Sequence, residues 1–365
     1  MMGPTTRRLL ACSAVLGLAL LTTTSRARVQ APGTFAGHVA ALSEHGGFFD
    51  TDNLISNERS YLHVVPDLRA AGFEGGAYIG VGPDQNFSYI AQVKPSIAFI
   101  VDLRRDNLLL HLLFKALFSL SSTRAEYLAQ LLGRPVPAPL DPWRTADAEA
   151  LAKLAEGPRA GPEALAALRT RLDDTIRAFG IPLSTEDMAT IARFHRRFED
   201  SGLDLQFETT GRAPQPYYPT YGDLLLERDR RGQRWNFLAS EEAFQTVRDL
   251  QRRDLVIPVV GDLSGTTALA AIGRLLASRG EHASAVYVSN VEFYLFGGAR
   301  FSQYLENLSR LPHTRRSLII RAVFGRFARS EPGYGSASLV QPMDDLLEGY
   351  RDGRFRAYQE LAAPR

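Results

Sequence analysis

The stretch GGAYIGVGPDQNFSYIAQVKPSIAFIVDLRR, Gly75 to Arg105, constrains this chain more than any other. Ala77, Tyr78 and Ile79 predict a buried strand. Gly80-Val81-Gly82-Pro83 predicts a turn in which two residues without a Cβ let backbone come close to a ligand. Phe87 to Val93 follows as a short helical run. Ile97 to Val101 is the continuous apolar run expected of a strand buried on both faces of a parallel sheet. Asp102 ends that strand about 20 residues after the glycines, the spacing at which a nucleotide-binding βαβ unit sets an acid against ribose hydroxyls. Gln85 stands where the dinucleotide fingerprint has its third glycine, which points away from NAD or FAD. The same residues also suit a purely structural strand-to-helix turn.

Three more apolar runs predict strands: Leu255 to Val260, Ala285 to Ser289 and Ser317 to Val323. The first leads into Gly261-Asp262-Leu263-Ser264-Gly265 and the second into Asn290-Val291-Glu292-Phe293-Tyr294. Ligands of open α/β sheets bind at the carboxyl ends of the strands. Asp102, Asp262, Asn290 and Glu292 are therefore expected to converge on one crevice. Asp262 and Asn290 equally suit the role of caps for the helices that follow.

These strand ends resemble the class I S-adenosylmethionine-dependent methyltransferase fold. The blocks DTDNLISNERSYLHV, GAYIGVGPDQNFSYIA, FIVDLRRDNLLLHLLFKALF, IPVVGDLSG and YVSNVEFYL look like an uncharacterised bacterial family of that superfamily, over most of the chain after residue 40. The resemblance implies that Gly80 and Gly82 face the methionine part of the cofactor. It implies that Asp102 binds ribose, that Asp262 lies near adenine, and that Asn290 with Tyr294 stands near the reacting methyl. The sequence departs from the pattern at two points. Tyr78 stands where such enzymes carry an acid two residues before the first glycine, and Asp84 replaces a third glycine. Glu58, in Ser56-Asn57-Glu58-Arg59, is a candidate for the missing carboxylate. The Asn290 motif also lacks the paired prolines of amino-methylating enzymes, so it names no acceptor.

Upstream, Phe48-Phe49-Asp50-Thr51-Asp52-Asn53-Leu54 mixes aromatics with acids before an expected helix. Asp52, Asn53, Asn57 and Glu58 are candidates to close over the crevice, with Asp52 or Asn53 as a plain helix cap the alternative.

Several activities are excluded. There is no Gly-x-x-x-x-Gly-Lys, which removes a P-loop kinase or ATPase, and no Gly-x-Ser-x-Gly nucleophile elbow. Tyr-x-x-x-Lys is absent, which argues against a short-chain dehydrogenase; lysine occurs only at Lys94, Lys115 and Lys153. A net charge of +2 argues against a dedicated nucleic-acid binder. The single cysteine, Cys12, allows neither an internal disulfide nor a cysteine metal site. The seven histidines show no ligand spacing, and His111 and His195 read as packed or solvated residues of helices. Apolar content of 45% is enough for one large domain or two.

The first 31 residues read as a signal peptide. Arg7-Arg8 precede an apolar run, Leu9 to Leu21, and small residues at Ala27 or Ala31 suit cleavage. Thr6-Arg7-Arg8-Leu9-Leu10 is a weak twin-arginine pattern, and Cys12 is misplaced for a lipoprotein. The chain is thus expected to be exported and periplasmic, with a cytoplasmic protein as the alternative if the signal is not used. No stable membrane span is expected after cleavage. Export conflicts with a cofactor made in the cytoplasm.

About 150 residues separate the second and third strands, far more than an ordinary crossover. This insertion, about 105–250, reads as helical: Asn107 to Leu120, Thr123 to Leu132, two helices within Asp147 to Phe179 broken at Gly157-Pro158 and Gly161-Pro162, Thr185 to Glu199, and Ser240 to Arg252. A hairpin is expected from Leu224 to Arg228 and Trp235 to Leu238. Pro214, Pro216, Tyr217, Tyr218, Pro219 and Tyr221 form a loop that either lines the crevice or lies on the surface.

The expectation is a Rossmann-like, methyltransferase-type parallel sheet over residues 32–365 with a large helical insertion. Its function would be S-adenosylmethionine-dependent methyl transfer to an unknown acceptor, with Asn290 or Glu292 orienting that small molecule. A non-catalytic binding or interaction protein on the same fold is the alternative. A weaker third reading is another nucleotide-dependent enzyme, since Asp102 would hold any ribose. Oligomeric state is not legible.

Overall fold

A computed structural model of the chain describes residue 1 and residues 33–73, 75–211, 215–327 and 333–362. The expected signal peptide, Met1 apart, and Pro214 lie outside the described residues.

The fold is α/β, built on one six-stranded, mostly parallel sheet of order β3-β2-β1-β4-β5-β6. The strands are β1 Ala77–Gly80, β2 Ile97–Asp102, β3 Val256–Val260, β4 Ala283–Tyr287, β5 His313–Phe324 and β6 Ser336–Pro342. The first five run parallel, and β6 is antiparallel to β5, with Ala322 opposite Ser338. The β1–β4 strands are buried along nearly their whole length, as helices cover both faces.

From β1 the chain winds outward through β2 to β3. It then crosses back to pair β4 with the other side of β1, with Ile79 opposite Val286. This reversal puts a topological switch point between β1 and β4, where open α/β sheets bind ligands.

The helix Arg105–Leu120 is buried over twelve of its residues. It packs against β2 and β3 and begins the insertion. Phe87 lies at the centre of this layer, with ring centroids 5.3–5.7 Å from His111, Phe114, Phe118 and Phe237. The expected helices form, as Arg124–Leu131, Ala148–Ala155, Pro162–Ala178, Thr185–Ser201 and Glu241–Arg252. Ser184 caps the fourth of these with a reciprocal bond to Asp187, and Met188, Ile191, Phe194 and Phe198 form its buried stripe.

Two expectations fail. The hairpin over 224–238 is absent. Thr220 instead caps a helix, Tyr221–Leu226, and Asp229 then binds the backbone N–H of Arg231 and Gln233 and the Trp235 indole, each at 2.8 Å. These bonds organise a loop, so Trp235 to Leu238 pair with no strand. Asp52 and Asn53 cap no α-helix, since the next helical residues are the 3-10 turn Arg59–Val64.

Candidate functional site

A cavity of about 520 Å³ opens at the carboxyl ends of β1 to β4. This is within the usual range for small-molecule sites. Gly82, Asp102, Asp262, Asn290, Tyr294 and Glu58 all line it. Two of the expected residues do not.

Gly80 is one. Its missing Cβ would lie 2.0 Å from Oδ1 of Asn86, so this glycine makes room for a side chain rather than for a ligand. Asn86 laces the turn from beneath. Its amide donates to the carbonyls of Val81 and Pro83 at 2.8 and 2.7 Å, and its oxygen accepts from the Tyr78 hydroxyl at 2.8 Å. The position where an acid was missing is thus used to brace the loop. Gly82 takes φ +82°, a backbone that side chains rarely adopt, and it alone of the two faces the cavity.

Glu292 is the other. It is buried away from the cavity, bound through both oxygens by Arg321 at 2.5 and 3.2 Å and by the Tyr304 hydroxyl at 3.0 Å. Its charge is fully used within the fold, so it is not free to orient an acceptor.

Asp102 ends β2 and forms an ion pair with Arg104, two residues on, at 3.2 Å. Its Oδ1 accepts from the backbone N–H of Arg104 and from Nε, and its Oδ2 accepts from Nη2. A carboxylate has about four acceptor sites. About one is therefore left, on Oδ2. The other arm of Arg104 donates to the carbonyls of Thr51 and Asp52 at 2.6 and 3.1 Å.

Those bonds hold a strap across the strand ends. Glu44 N–H binds the Val260 carbonyl at 2.9 Å, and Gly47 N–H binds that of Leu103 at 2.8 Å. Asp52 accepts from the backbone of Leu54 and Glu208 rather than facing the cavity, whereas Asn53 and Asn57 line it. From the insertion, Phe207, Tyr217 and Tyr218 complete the wall.

Glu58 is the chemical centre of the floor. It is 1% exposed. Its Oε1 accepts from the Tyr287 hydroxyl at 2.7 Å and from Ser289, while its Oε2 has no partner. Gln85 donates to the Tyr287 oxygen at 2.7 Å, and its own Oε1 is likewise buried without a partner. Burial raises the Glu58 carboxyl to about 7, against the two hydrogen bonds that lower it. Two acceptor oxygens thus sit unpaired at the switch point between β1 and β4. A buried polar atom without a partner is costly, so a donor-bearing group is the natural occupant.

Asp262 ends the third strand's turn. Arg300 holds it at 2.6 Å, and it also accepts from the N–H and hydroxyl of Ser264. Asn290 stands at the start of the helix Val291–Leu295 without capping it through its side chain. Tyr294 projects into the mouth with its ring 5.1 Å from Phe49. His111 stays out of the cavity, but its Nε2 lies 2.9 Å from the Gly82 carbonyl. Burial lowers its pKa to about 4, so the ring is neutral and donates that bond.

Sequence reasoning missed Arg104, Tyr287 and Ser289. Only Arg104 left a signal, since an arginine two residues after an acid on a strand end can turn back on it. Among the described residues no group of three or more potential metal ligands occurs, and no helix is long and apolar enough to cross a membrane.

A family described as a domain of unknown function (DUF7790) matches residues 54–134 and 204–360. The unmatched stretch between them holds the helices Ala148–Ala155, Pro162–Ala178 and Thr185–Ser201. No curated protein matches the chain.

Proposed function

The chain belongs to this family of unknown function, and from that premise we propose that it binds S-adenosylmethionine in the cavity and transfers its methyl group to a small molecule. The observation that carries the reading is the pair of unpaired buried acceptors, Glu58 Oε2 and Gln85 Oε1, beside the Gly82 turn at the switch point. They suit the ammonium of an amino-acid moiety. In this reading Glu58 supplies the carboxylate that Tyr78 does not. Asp102 keeps about one acceptor site for a ribose hydroxyl, and Asp262 lies one strand further out, on the adenine side. When bound, the cofactor supplies an electrophilic methyl on a sulfonium. The residues then have little proton transfer to perform, and their work is positioning. Asn290 and Tyr294, at the end of β4, are the groups placed to orient an acceptor.

The test is calorimetric titration of the full chain with S-adenosylmethionine and S-adenosylhomocysteine, with Asp102→Ala as control. Micromolar binding that weakens in the variant supports the reading. Absence of binding to both ligands overturns it.

One observation favours a second reading, a binding protein without chemistry. Among the described cavity residues, Glu58 is the only carboxylate without a cationic partner, and its Oε1 is already held by Tyr287 and Ser289. Export, if the N-terminal pattern is used, favours this second reading, because the cofactor is made in the cytoplasm.

A further inference from the structure

Seven large apolar side chains are exposed among the described residues, and four of them stand at this one mouth. They are Phe48, Tyr217, Phe293 and Tyr294, with exposures of 82%, 43%, 46% and 48%. Scattered exposed aromatics need no explanation, but a cluster around a cavity does. The four come from three separate parts of the chain: the strap, the insertion loop and the helix after β4. All four line the same cavity.

The rings are set against one another at steep angles. Phe49 meets Tyr294 at 90° with centroids 5.1 Å apart, and Phe293 meets Tyr294 at 81° and 5.3 Å. Phe327 closes on Phe293 at 51° and 5.7 Å. Faces and edges therefore alternate on this side of the mouth, and such a surface receives another ring offset-stacked or edge-on. A cation needs ring faces turned toward one point. Here neighbouring faces look in different directions.

The charges on the wall narrow the choice further. Arg104 is bound to Asp102 at 3.2 Å and Arg300 to Asp262 at 2.6 Å. Each of these cations is already balanced by a carboxylate, so an anion entering here meets no net positive charge on the wall.

We infer that the mouth is a subsite for an uncharged, planar aromatic small molecule. This rests on the methyl-transfer reading only in calling that molecule the acceptor. The subsite itself stands on the rings and the charges.

Three naphthalene probes test it by calorimetry on the full chain at neutral pH: 2-naphthol, 2-naphthoate and a naphthylmethyl-trimethylammonium ion. The neutral probe is expected to bind about fivefold or more tighter than the carboxylate, and Phe48→Ala and Phe293→Ala are each expected to weaken it about fivefold. Phe48 is so exposed that its loss cannot unfold the chain, so its variant reads the subsite alone. Equal binding of the carboxylate, tightest binding of the cation, or no change in either variant overturns the inference. S-adenosylhomocysteine is titrated into the same proteins. Its failure to bind anywhere removes the methyl-transfer reading and leaves the subsite result standing by itself.

Discussion

The Tyr287 hydroxyl donates to Glu58 Oε1 at 2.7 Å, joining the last residue of β4 to a carboxylate brought from a segment more than two hundred residues earlier. The second oxygen of Glu58 is left buried beside the cavity with no partner. A fold keeps such a buried, unpaired charge at a cost in stability, and a functional site is where that cost is tolerated.

That cost is measurable. The Glu58 carboxyl is raised from 4.5 to about 7. Between those values the folded chain holds a proton that the unfolded chain has lost, so stability falls as pH rises from 4.5 to 7 and stays low above it. The contribution is roughly 3 kcal/mol. Glu58→Gln keeps an oxygen for Tyr287 and carries no charge. It is expected to be more stable than the natural chain at pH 8 and no more stable at pH 4. Urea unfolding at the two pH values checks this.

His111 acts at one remove, through the Gly82 carbonyl. His111→Leu leaves that carbonyl without its donor and is expected to cost about 1–3 kcal/mol at pH 7. The natural ring, with its pKa lowered to about 4, prefers the neutral form in the fold. Its contribution is present above 6.5 and is lost as pH falls toward 4. The gap between the two proteins should therefore narrow at pH 5, as denaturant midpoints will register.

Glu292 and Glu58 are both buried carboxylates near the end of β4, yet they should respond in opposite ways. Glu292→Gln removes the charge that pairs Arg321 at 2.5 Å. Breaking a buried pair on one side costs about 3–5 kcal/mol. The variant is expected to lose thermal stability at every pH between 5 and 9, whereas Glu58→Gln gains it at the alkaline end. Scanning calorimetry across that range distinguishes the two.

Gly80 and Asn86 are coupled by contact. Gly80→Ala forces a Cβ to within 2.0 Å of the Asn86 oxygen and breaks the brace beneath the turn. Combined with Asn86→Ala, which removes the closest clash and leaves only the Tyr78 ring to give way at 2.7 Å, it is expected to cost less than the two single losses added together. The interaction should lie in the range of about 0.5–3 kcal/mol seen for touching residues. A double-mutant cycle by chemical denaturation measures it.

The central sheet was legible because β1, β2, β3, β4 and the second half of β5 are continuous apolar runs ended by turns. β6 was not. Its SASLVQP is half polar, and it forms a strand because β5 offers an edge, a fact about the tertiary structure. The hairpin expected over 224–238 is missing for a related reason. Thr220 and Asp223 form a capping box that starts a helix, and that local signal outweighs the apolar alternation that suggests a strand. The convergence of Asp102, Asp262 and Asn290 follows from strand ends alone. What each carboxylate does there does not, because it depends on which cation reaches it. Arg104 and Arg300 claim Asp102 and Asp262, Arg321 withdraws Glu292 altogether, and Glu58 is left unpaired. Gly80 escapes spacing rules in the same way, since the room it leaves is filled by the Asn86 side chain rather than by a ligand, and only the folded structure says which.

The most direct test of the account is the affinity of the full chain for S-adenosylhomocysteine as a function of pH, in the natural chain and in Glu58→Gln. A ligand ammonium held by ionised Glu58 should bind most tightly between about 7 and the pH at which its own amino group loses its proton, and lose about tenfold per pH unit below about 7. Glu58→Gln should bind about tenfold or more weakly at pH 8 and show no such slope. Absence of binding, or an affinity equal in the two proteins at every pH, would contradict the account.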